Sequence, residues 1–238
     1  MKNKLFILFF SALFNFNVFA ETSVNIQARN ITLDKDKITS IFENDVVVKT
    51  EDKTFFCDFV KYNKKAGFLI LKKNVIARDS KNNIIKTQHA EFDEKSKIFK
   101  TIGLTSIITS ENYEINAKDI IFNNKTNKII SKKKSIINDQ DKNQIFLTNF
   151  EYNIPQNIFK SIGLVKIRDK NENVYEFSQL YIDTKKKEIL GTDIKAFLND
   201  KSFKIKKENK PRIFANTINL SEKLSSFSKS KFTLCDYR

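Results

Sequence analysis

Apolar and polar residues alternate with a period of two along most of this chain, and the alternation itself recurs about every 30 residues. The apolar pairs Ile31/Leu33, Val60/Tyr62, Ala90/Phe92, Ile120/Phe122, Phe150/Tyr152 and Leu180/Ile182 each run directly into Asp34, Asn63, Asp93, Asn123, Asn153 and Asp183. Alternation of this kind predicts a strand with one buried face. Thirteen residues after the second member of each of the first five pairs begins another alternating set: Val46/Val48, Val75/Ala77, Thr105/Ile107, Ser135/Ile137 and Val165/Ile167. A slip of one residue would turn every one of these side chains outward, so the two sets share one face.

Each unit is therefore two strands joined by polar turns, such as 79–83, 139–143 and 169–173. Further columns keep the beat: Asn44, Lys73, Gly103, Lys133, Gly163 and Asp193, then Asp79, Thr109, Asp139, Asp169 and Asn199. A fixed period of this length marks stacked units, none of which can bury its apolar face alone. Six units predict about twelve strands, with a partial seventh at 215–220 after a Lys-rich insertion at 201–211. Gly103 and Gly163, in mid-strand, are expected at bends where a strand crosses from one side of a sandwich to the other. The fold class is all-β: tandem two-strand units of about 30 residues forming an elongated, open β-jellyroll of two bent, facing antiparallel sheets.

The first twenty residues carry Lys2 and Lys4, an apolar run from Leu5, and Val18-Phe19-Ala20. This reads as a secretory signal peptide (1–20) cut after Ala20, interrupted by Asn15 and Asn17 and too short to span a bilayer. Glu21 follows the cut, so a lipoprotein anchor is not indicated. Residues 21–222 form the β-domain and 223–238 a C-terminal segment. With four Gly and two Pro in 238 residues, the turns fall to Asn, Asp and Lys. The net charge of +15 drops to +13 without Lys2 and Lys4. In a cytosolic protein that balance would suggest nucleic acid; export removes that partner and leaves anionic lipid, anionic glycan or an acidic protein, or lysines that only solvate the outer faces. Export also permits a disulfide between Cys57 and Cys235, although Cys57 reads equally as a small buried apolar residue.

The chain shows little that resembles catalytic equipment. Its single histidine, His89, reads as a surface residue at a strand start, and no second His or Cys lies nearby to suggest a metal or nucleophilic site. The Asp columns fall in turns, where carboxylates serve local hydrogen bonding. No enzyme, metal or cofactor is expected. A β-helix polysaccharide-active enzyme is the weaker alternative, and an exported adhesin or binding module the stronger one.

The units, read as apolar-x-apolar-Asp/Asn, turn, Asn-Val-like bend and Val-x-Ile, resemble the OstA-like β-jellyroll family of lipopolysaccharide transport proteins. The bend survives as Asn44-Asp45-Val46, Lys73-Asn74-Val75, Gly103-Leu104-Thr105 and Gly163-Leu164-Val165. The resemblance covers about 28–220. At the end, Lys231-Phe232-Thr233-Leu234-Cys235-Asp236 is similar to the Phe-Thr-Pro-Cys junction between jellyroll and barrel in LptD-type assembly proteins, with Leu234 in place of Pro. The chain thus reads as the periplasmic portion of such a protein without its barrel. The resemblance implies a periplasmic protein associated with the outer membrane of a Gram-negative cell. It would shield the acyl chains of lipid A in an apolar groove and join other jellyroll domains by edge-strand addition, with an outer-membrane β-barrel as a further candidate partner. The inward columns are the expected groove lining: Val46, Val48, Val60, Tyr62, Phe92, Ile107, Ile120, Phe122, Ile137, Phe150, Tyr152, Val165, Ile167, Leu180 and Ile182.

Overall fold

The computed structural model describes residues 24–35, 37–51, 53–199, 211–221 and 224–234. The segment expected to be a signal peptide, most of the Lys-rich insertion and Cys235 lie outside them. Over the described residues the chain crosses the molecule fourteen times, each crossing antiparallel to the next. Eight crossings are continuous strands: β3 (Thr39–Lys49), β4 (Lys53–Asn63), β5 (Phe68–Asp79), β6 (Ile84–Asp93), β15 (Ile158–Arg168), β16 (Val174–Asp183), β17 (Glu188–Phe197) and β18 (Arg212–Leu220). Six are broken in the middle: β1 (Asn25–Gln27) with β2 (Asn30–Leu33), β7 (Ile98–Thr101) with β8 (Leu104–Ile108), β9 (Glu114–Lys118) with β10 (Ile121–Asn123), β11 (Lys128–Ser131) with β12 (Ser135–Asn138), β13 (Gln144–Leu147) with β14 (Phe150–Asn153), and β19 (Ser225–Ser228) with β20 (Lys231–Thr233). The seventh unit, expected to be partial, supplies two full crossings.

The long crossings bend near their middles, and the register shows where for several of them. Pairing jumps between Glu43 and Val46, between Lys72 and Val75, and between Ile162 and Val165. The bends are built on left-handed residues: Asn44 (φ 65°), Lys73 (φ 61°), Gly103 (φ 86°), Gly163 (φ 110°) and Asp193 (φ 52°). Five of the six residues of one sequence column thus share a backbone conformation that Gly adopts freely and Asn or Asp tolerate. Lys133, the sixth, sits in the wider break between β11 and β12.

Each bend folds its two half-strands toward one another, producing two facing sheets with a shared interior. Phe55, from one half, lies with its ring centroid 5.4 Å from Phe92 and 5.3 Å from Phe99 of the other. Lys53 lays its ammonium 3.7 Å from the Phe122 ring centre, also across the interior. Where the strands cross, hydroxyls satisfy the interrupted ladder. Thr105 donates to Thr101 at 2.7 Å, Thr101 accepts the Ile120 N–H at 2.9 Å, and Ser161 donates to the Asn149 carbonyl at 2.6 Å. Thr101, Ser131, Ser161 and Gly191 form one 30-residue column of small residues at this fold line. Gly191 is small because the Phe177 ring occupies its Cβ position, with Cδ1 at 2.2 Å from that point.

The turns are equally repetitive. Asp79, Asp139 and Asp169 each accept the backbone N–H and side-chain amide of Asn83, Asn143 and Asn173 at 2.7–2.9 Å. The amide oxygens of those Asn residues then accept N–H groups from the next turn: Ser110, Lys170 and Asn199. At the opposite end, Asn63, Asp93, Asn123, Asn153 and Asp183 cap their own turns. The repeated carboxylates and amides therefore hold turns to turns.

Candidate functional site: the interior and its mouth

Fourteen of the fifteen residues expected to line a groove lie in one packed core, all at most 4% exposed; Tyr62 is half-buried against it. Their alternation brings them together from all the central crossings. The aromatic members stack in series: Tyr152 on Phe159 and Phe150 on Phe159, both at 5.0 Å between centroids. At their first unit the inward columns are uncovered, because β2 is an edge strand. Ile31 and Leu33 are exposed there, and Leu224 and Phe232 are exposed at the other end of the stack.

A cavity of about 310 Å3 opens between the two rows of turns. Its apolar wall is Tyr113, Ile145, Ile182, Ile189 and Leu220, and its rim carries Glu111, Asp139, Asp141 and Lys187. This mouth leads to the core, since Tyr152 reaches out to it and donates to Glu111 at 3.4 Å. The phenol of Tyr113 is pushed up to about 12 by burial, with Asp139, Asp141 and Glu111 adding to the shift. Tyr152 is likewise raised to about 12, chiefly by burial. Negative charge is thus disfavoured at the entrance, although the chain as a whole is basic.

Cys57 points inward, 5% exposed, and its Sγ donates to the Phe59 carbonyl at 3.4 Å. Burial pushes its thiol up to about 11. Its suggested partner, Cys235, lies outside the described residues. His89 is half-buried, not on the surface as expected, and its Nε2 has no hydrogen-bond partner among the described residues. The alternation puts His89 on the outer side of its strand, but it pairs with Lys72 beside the bend, where the register with β5 jumps and the alternation is interrupted. Among the described residues no cluster of three or more His, Cys, Asp or Glu is placed to hold a metal ion, and no helix is long and apolar enough to cross a membrane.

Sequence reasoning missed the mouth. Its residues come from turns some 30 to 110 positions apart, and only the stacking of the units brings them together.

No protein-family model matches the chain, and no curated protein matches it. Among solved structures it is similar to LptH of Pseudomonas aeruginosa, described as the LptA-homologous periplasmic component of the conserved lipopolysaccharide transport device. The identity is 13%, the match covers 72% of this chain and 83% of that one, and the TM-score is 0.21. A superposition that loose carries no argument, and the all-β jellyroll rests on the strand register and the shared interior described above.

Proposed function

We propose that the protein is a periplasmic component of lipopolysaccharide transport and outer-membrane assembly, which shelters acyl chains in its jellyroll interior and docks end to end with like domains. The supporting observation is the interior itself: one apolar core runs through all fourteen crossings, with an entrance between the turn rows and uncovered apolar residues on both edge strands. Carrying a lipid through water exposes its methylenes at about 0.8 kcal/mol each, a cost that an apolar channel removes. Ile31 and Leu33 on β2, and Phe232 on β20, offer unpaired strand edges whose inward residues would continue the core of an added strand. The Phe232-Thr233-Leu234 segment favours the LptD-type branch of this family, with a barrel as partner.

The packed core favours a second reading. Phe122 and Tyr152 are only 1% exposed, as in a closed β-sandwich that serves as an adhesin or binding module. Photocrosslinking to lipopolysaccharide in cells separates the two. Probes at Ile189 and Leu220 in the mouth, and at Phe122 and Tyr152 deeper in, are compared with the turn residue Asp139. The transport reading expects crosslinks at the mouth and at the deep positions. Crosslinks at none of them, in a folded and exported protein, would establish the closed sandwich.

A further inference from the structure

A concave surface larger than the mouth lies outside the sandwich. It is a trough of about 970 Å3 on the outer face of the sheet that contains β8, β9, β12 and β13. The register defines its floor residue by residue. Ile76 pairs with Lys86, Lys86 with Ser106, Ser106 with Asn116, Asn116 with Ile136, Ile136 with Phe146, and Phe146 with Lys166. These seven side chains form one lateral row, alternating along each strand with residues buried on the inner side. Small Ser106 and Asn116 in the middle, between larger flanks, make the row dip, and Leu104 and Leu164 overhang it from the bends at 76% and 64% exposure.

Six strand spacings of about 4.8 Å give the row a length of roughly 29 Å. One leaflet of a bilayer is about half of a 30 Å hydrocarbon core, so an extended acyl chain fits along it. Four lysines line the trough, Lys86, Lys118, Lys134 and Lys166, and no carboxylate does. Among the described residues Lys166 alone of the four forms an ion pair, with Glu176 at 3.5 Å, and that carboxylate lies one strand beyond the lining. The corresponding outer row of the other sheet differs in charge. There Glu91 pairs with Lys100 and Glu151 with Lys160, so positive and negative groups alternate.

We propose that this trough binds the acyl chain of a phosphate-bearing lipid, with the chain on the Ile76, Ile136, Phe146, Leu104 and Leu164 surface and the phosphate among the lysines. An apolar floor with a single sign of charge at its rim suits an anionic amphiphile, whereas the rim of the mouth between the sheets is mixed in charge, with Glu111, Asp139 and Asp141 beside Lys187. The proposal shares its ligand class with the transport reading but is independent of it, because it needs no opening of the sandwich.

The chain has no tryptophan, so Phe146→Trp in the full-length protein makes a sole reporter in the trough, and Ile130→Trp makes the control on the mixed-charge face of the other sheet. Dodecyl phosphate below its micelle concentration is expected to give a saturable blue shift in the first and none in the second. Replacing all four lysines with Gln should weaken dodecyl phosphate binding about tenfold or more and leave binding of uncharged dodecyl maltoside unchanged. Should Phe146→Trp not fold, Leu104→Asn with Leu164→Asn serves instead. Both side chains are exposed, so the melting temperature should hold while dodecyl phosphate affinity, read by calorimetry, falls several-fold. No binding of dodecyl phosphate, equal responses from both reporters, or a shift that follows protein concentration alone, as for a second copy on this face, would each overturn the proposal. Crosslinking at Ile189 and Leu220 reports on the interior separately, so either site can fail without the other.

Discussion

The interior of the sandwich and the trough on its outer face are both apolar, yet they are built by different rules. Inside, below the mouth, large side chains pack against one another, and the fold line is adjusted to them: Gly191 leaves room for the Phe177 ring, and hydroxyls close the hydrogen bonds that the bends break. Outside, apolar residues flank small ones and lysines, and nothing fills the dip between them. The deep interior is covered by the protein's own side chains below its mouth; the trough is open to solvent. An apolar stripe inside a repeat is therefore mainly a statement about stability, and the same residue types on the reverse of a strand, where half the positions should be polar, point to a ligand.

The sharpest way to break this comparison is to truncate an aromatic on each side. Phe55 is fully buried against Phe92 and Phe99, so Phe55→Ala should cost about 3–5 kcal/mol in urea unfolding. Phe146→Ala removes a partly exposed ring from a surface with room to spare and should cost about 1 kcal/mol or less. Comparable losses would mean that the trough is part of the core. Next in size is Gly191→Ala. Its Cβ would fall 2.2 Å from Phe177 Cδ1, and the ring must move in a packed interior, at about 1–3 kcal/mol. Gly103→Ala meets no atom within 4 Å, leaving only the positive φ to oppose it, about 1–2 kcal/mol. A Gly191 variant that melts like wild type would show that the interior is looser than its packing implies.

Alkaline titration tests the interior by another route. Burial raises Cys57 from 9.0 to about 11, and Tyr113, Tyr152 and Tyr175 from 10.0 to about 12. Above pH 9 the unfolded chain begins to release these protons while the folded chain holds them, so the unfolded state gains and stability falls as pH rises. The loss should start near pH 9, steepen above 10, and level off near 12. Cys57→Ala should delay its onset to about pH 10. A melting temperature flat from pH 8 to 11 would mean that these groups are open to water.

Much of this architecture was legible in the residues because a stack of identical units makes local rules global. The alternation located the inward columns, and the beat at Asn44, Lys73, Gly103 and Gly163 marked the bends that the left-handed backbone confirms. What could not be read was which apolar face is full and which is empty. Ile136 and Phe146 appear in the sequence as ordinary outward members of their strands, and so does Ser106. They become a floor only when antiparallel pairing lines them up with Ile76 and Lys166, which lie 90 residues apart in the chain. His89 was misread for the same reason: alternation gives the side of the strand, and the bend beside it interrupts that alternation.

The smallest effect sharpens the comparison most cleanly. Lys166 and Glu176 face each other at 3.5 Å with both side chains substantially exposed, so the pair should contribute less than about 0.5 kcal/mol to folding. Glu176→Gln should therefore leave the melting temperature nearly unchanged. Removing the carboxylate also frees Lys166 to face the trough and removes a negative charge beside it, so dodecyl phosphate should bind somewhat more tightly, and the gain should fade as salt screens it. A mixed-charge pair on the other sheet, Lys128 with Glu151 at 2.7 Å, supplies the contrast. Glu151→Gln should be equally mild for stability, because that ion pair is also partly exposed, and should leave dodecyl phosphate binding where it was. If both substitutions tightened binding alike, net charge would account for the effect; if Glu176→Gln alone did so, the site would be local to the trough.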